Sequence, residues 1–73
     1  MGLFRLVLAH PRQPDAPRLV AEHMDPSWLK QRGYEIARTL GDAAAVWTPR
    51  PGSSEQQLAL HCRTGHALAI VAA

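Results

Sequence analysis

The stretch that decides the fold is residues 56–72, QQLALHCRTGHALAIVA. It holds two apolar runs on either side of Thr64-Gly65. Each run is too short for a stable helix, and each alternates like a strand. In the first run, Leu58, Leu60 and Cys62 share one side, while Ala59, His61 and Arg63 share the other. Thr64-Gly65 reads as a two-residue hairpin turn, with 66–72 returning antiparallel. That register sets Arg63 opposite His66, His61 opposite Leu68 and Ala59 opposite Ile70. It predicts a second sheet face carrying Leu68 and Ile70 beside His61, His66 and Arg63. Such a face is too apolar to be left to water, so a partner or a second copy is expected over it.

Working outward, residues 3–9 (LFRLVLA) are apolar on both faces and predict a central strand. Pro11, Pro14 and Pro17 predict a loop over 10–17. Residues 16–24 read as a helix with Leu19, Val20 and Met24 turned inward. Asp25-Pro26 forms an N-cap and first-turn pair for a second helical piece over 26–32, the two pieces making one helix bent at Pro26. Gly33 reads as its C-terminal stop. Residues 34–40 fit a strand or a continuation of the helix to Gly41. The strand is preferred, with Gly41-Asp42 as a hairpin turn. Residues 43–48 predict a further strand, chiefly through Val46 to Thr48. The loop from Pro49 to Ser54 carries Arg50 between prolines.

These elements predict one domain over residues 1–73: an α+β two-layer sandwich. An antiparallel sheet of four or five strands packs on one bent helix, in the order β-α-β-β-β with room for a fifth strand. The runner-up order is strand, long helix and three strands. A 73-residue core is only marginally able to offset chain entropy. Cys62 is the only cysteine, so no disulfide within the chain can help. Leu3 to Ala9 is too short to span a bilayer and lacks the flanks of an export signal, which predicts a cytoplasmic protein.

Hydrophobic residues make up 47% and charged residues 19%, the balance of a globular chain and not of a disordered one. The formal net charge of +2 comes from scattered cations interleaved with acids. A nucleic-acid binder usually shows a basic cluster or stripe, so nucleic acid is the alternative partner and a larger protein or complex the preferred one. The five glycines are isolated turn residues and form no phosphate-binding loop.

Chemistry-bearing residues are few. His61 and His66, diagonal across the predicted hairpin, are weak metal candidates, since a structural site wants four ligands. Cys62 lies mid-strand among apolar neighbours, which predicts an inert thiol. No cofactor and no catalytic residue is expected. Trp28 and Trp47, with Arg32, Arg50 and Arg63, are the residue types that anchor binding hot spots. The sequence therefore predicts a non-enzymatic protein-binding module of the inhibitor or adaptor type. Such modules are often encoded by phages or mobile elements, and a host defence system is one class of target. The alternatives are a small basic nucleic-acid-binding domain and a histidine-based metal- or pH-responsive subunit. Homodimerisation is compatible with each.

Overall fold

The computed structural model describes residues 2–49 and 57–73. One helix packs on a five-stranded antiparallel sheet, the small α+β sandwich expected from the sequence. The chain runs β1 (Phe4–His10), β2 (Gln13–His23), α1 (Pro26–Thr39), β3 (Thr48–Pro49), β4 (Leu58–His61) and β5 (Ala67–Ala72). Across the sheet the order is β2-β1-β5-β4-β3. The helix thus carries the chain from the β2 edge to the β3 edge, and three antiparallel strands lead back to the centre. Ala73 N–H donates to the Leu3 carbonyl at 2.9 Å, so the two ends of the described chain meet.

The first correction is β2. Residues 16–24 are not helical: they belong to an 11-residue strand that begins at Gln13, inside the predicted loop. Pro14 and Pro17 are tolerated because β2 lies at the edge of the sheet. The strand's alternation is hidden in the sequence by an irregularity. Ala21 pairs with Leu6 and Leu19 with Val7, so Val20 is an extra residue with no partner. The bulge brings Leu19 and Val20 together in a pattern that imitates a helix face. Leu19, Val20 and Met24, expected inside, are 56%, 37% and 65% exposed. The order along the chain is accordingly ββαβββ.

The second correction is residues 34–40, which continue the helix rather than forming a strand. Asp25 caps α1 as expected, its carboxylate accepting from Ser27 N–H at 2.9 Å, with Pro26 in the first turn. Gly33 does not stop the helix but lies buried within it. The Trp47 ring occupies the space a Cβ would take there. Trp47 Nε1–H donates to the Lys30 carbonyl one turn earlier, at 3.1 Å. The helix ends instead at Leu40. Gly41 N–H donates to the Arg38 carbonyl at 3.0 Å and Asp42 N–H to the Ala37 carbonyl at 2.9 Å. These are the two bonds of a Schellman cap, so Gly41-Asp42 is no hairpin turn. Of the strand predicted over 43–48, only Thr48 pairs, together with Pro49.

The third correction is the β4–β5 register. The turn spans three residues, Arg63 to Gly65, closed by Cys62 N–H to the His66 carbonyl at 2.9 Å and by Gly65 N–H to the Cys62 carbonyl at 3.0 Å. Gly65 takes φ +91°, the left-handed position that such turns require. Leu58 pairs with Ile70, Ala59 with Ala69, Leu60 with Leu68 and His61 with Ala67. The slip of one residue moves Leu68 and Ile70 to the helix side. There they are fully buried with Leu6, Leu29, Ala37 and Leu60. The other face keeps only small or short side chains at its centre.

Gly33→Ala tests the helix–Trp47 contact. At an unhindered helix position this change stabilises by about 1 kcal/mol. Here it displaces Trp47 and strains its bond to Lys30, so a net loss of about 2 kcal/mol is expected in urea unfolding.

Candidate functional site

Trp28 and Arg32 come together and Trp47 does not join them. Trp28 lies in the first turns of α1 and is 47% exposed. Its ring stacks on His23, with centroids 4.8 Å apart and planes 15° from parallel. His23 is itself held, because its Nδ1 accepts Asp25 N–H at 2.9 Å. Asp25 in turn caps the helix that carries Trp28. The β2–α1 junction therefore fixes an exposed indole in one orientation. Arg32, one helical turn further on, is paired with Glu35 at 2.9 Å. Val20, Ala21, Trp28, Gln31, Arg32 and Glu35 line a shallow cleft of about 390 Å³ between β2 and α1.

Sequence reasoning missed Val20 here. The doublet of apolar residues at 19–20, next to a proline-bearing edge, is the signal of the bulge that turns it outward. The other predicted anchors lie elsewhere. Trp47 is half-buried against Gly33 and belongs to the core. Arg63 sits on the β4–β5 turn, where its backbone N–H donates to Asp42 at 3.0 Å while its side chain reaches into solvent. Of the loop predicted from Pro49 to Ser54, Pro49 pairs in β3, and Arg50 with the rest lies outside the described residues.

His61 and His66 do not share a face. His61 pairs with Ala67, and His66 follows one residue out of phase, so the two project to opposite sides of the sheet. His66 instead meets His10 edge-on, with centroids 4.9 Å apart, and its Nδ1 lies 2.7 Å from the Thr64 hydroxyl. Among the described residues, no three of His, Cys, Asp and Glu gather as metal ligands.

The opposite face of the sheet is a second concavity, of about 400 Å³, lined chiefly by Val7, Ala9, Ala59, Ala67, Ala69 and Val71. It is apolar but offers no aromatic anchor and little charge. Beneath the helix end, Asp42 is 5% exposed and takes one hydrogen bond, from Arg63 N–H to Oδ2. Among the described residues its Oδ1 has no donor within hydrogen-bond reach, the Arg63 Nε standing 3.9 Å away. Neighbouring Cys62 is buried, and burial pushes its thiol above the ordinary range, with the Asp42 charge adding to the rise.

Among the described residues no helix is long and apolar enough to cross a membrane. No family model, curated protein or solved structure matches this chain.

The Cys62 environment gives a pH prediction. Because the folded thiol titrates above the free one, folding stability holds at neutral pH and falls as pH rises past the ordinary thiol value of about 8.5. A thiol reagent at pH 8 should label Cys62 only as fast as the protein opens, and urea should speed the labelling. Rapid labelling of the native protein would contradict the burial.

Proposed function

We propose that the protein is a non-enzymatic, cytoplasmic binding module that acts by occupying a surface of a larger protein, and that the β2–α1 cleft at Trp28 is its contact site. The observation that carries this reading is the exposed, oriented Trp28 with Arg32 in a cleft that is apolar on its Val20–Ala21 side and polar at Gln31, Arg32 and Glu35. Tryptophan and arginine dominate binding hot spots, and an indole already held in place loses little freedom on docking. Val20 adds exposed apolar surface in the cleft and Met24 does so just beyond the strand's end. An inhibitor or adaptor needs such a surface and no reaction chemistry.

Two further observations favour this reading over the alternatives. Arg5, Arg32 and Arg63 each lie within 4 Å of an acid, namely Glu22, Glu35 and Asp42. This pairing weakens any continuous positive field of the kind nucleic acid selects. Cys62, the one thiol, is buried and raised away from nucleophilic use.

The test is capture from the native extract with and without nuclease, using wild type and Trp28→Ala. One protein or complex should be recovered in both nuclease arms. Its affinity should fall by about 2 kcal/mol, roughly thirtyfold, in the variant, with the thermal midpoint little changed. Recovery that collapses with nuclease would overturn the reading in favour of nucleic acid.

A further inference from the structure

The β2–α1 cleft continues into a feature that specifies the kind of partner. β2 is an edge strand, so its outer side presents backbone N–H and C=O groups with no neighbouring strand. Pro14 and Pro17 remove donors from its first half. The second half, Arg18 to His23, contains no proline and borders the cleft through Val20 and Ala21. The opposite edge, β3, is two residues long and includes Pro49. Among the described residues, the proline-free half of β2 is therefore the longer stretch of edge, bent at the Val20 bulge, and Trp28 stands beside it.

The charge at this place is also specific. Arg18 pairs with Leu8, and Ala21 with Leu6, so Arg18 projects to the helix-bearing side, in line with the cleft. Arg18 is exposed and, like Arg12, Lys30 and Arg38, has no ionic partner among the described residues, whereas Arg32 in the cleft itself is paired to Glu35. An incoming chain that extends the sheet would meet backbone groups at its main chain, the Val20–Ala21–Trp28 side of the cleft at one side chain and the Arg18 cation at another.

We propose that this edge docks an extended peptide segment of the partner protein, added as a sixth strand alongside Arg18–His23. One apolar or aromatic side chain enters the cleft beside Trp28. An Asp or Glu two or three positions away faces Arg18. Main-chain hydrogen bonds supply affinity and the two side-chain positions supply selectivity. The inference rests on the binding-module reading of the cleft and adds the form of the ligand.

The probe is a library of random dodecapeptides displayed for selection against the intact protein, followed by synthesis of the enriched sequences. Enriched peptides should carry an acidic residue two or three positions from a large apolar one. Binding should weaken about tenfold in Arg18→Glu and should be recovered when the peptide's acid is exchanged for Lys. Amide exchange at Arg18–His23 should slow in the complex. If no sequence is enriched, or the enriched peptides ignore Arg18→Glu and protect another surface, strand addition is wrong. In that event a Trp28-dependent capture of a folded protein would leave the cleft as a rigid docking site, so the two failures are told apart.

Discussion

The pairing of β5 between β1 and β4 sets which side chains the helix covers, and most of the structure follows from it. β5 supplies Leu68 and Ile70, both fully buried, and their position depends on a turn of three residues and not two. A sheet slipped by one residue would bury alanines and expose those aliphatics. With the register fixed, Leu6, Leu60, Leu68 and Ile70 form a floor on which Leu29 and Ala37 of α1 rest. Trp47 closes this layer from the side by lying against Gly33 and bonding to Lys30. That contact ties the chain leading into β3 to the middle of the helix and orders the far edge of the sheet.

The layer architecture was legible in the sequence because the two apolar runs at 58–62 and 67–72 alternate cleanly and because Asp25-Pro26 marks a helix start without ambiguity. The errors had local causes. Gly33 looks like a helix stop in one dimension, whereas its role is to admit the ring of Trp47, fourteen residues later in the chain. Residues 16–24 look helical because a bulge at Val20 breaks the two-residue period. Neither a long-range close approach nor a bulge leaves a periodic trace that a local reading can find.

The site was legible in part for the same reason. Trp28 and Arg32 lie one helical turn apart, so any helix over 26–32 places them together. Val20 and Arg18 could be added only once β2 was known to be an edge strand paired with β1. Trp47 and Trp28 are alike in the sequence and opposite in role: one is a packing element with its indole N–H satisfied inside, the other is held open by His23. The corrected register also removes the apolar side chains expected on the free sheet face and replaces them by alanine and valine, which give area without a hot-spot anchor.

The proposed contact site thus lies on the helix-bearing side at β2, away from the alanine-rich face behind it. The most direct test compares partner capture by Trp28→Ala and by Ala59→Arg, which places a bulky charge on that opposite face, with both variants first confirmed as folded. The account predicts that Trp28→Ala loses the partner while Ala59→Arg retains it. Retention by Trp28→Ala with loss by Ala59→Arg would contradict it and move the interface to the open face of the sheet.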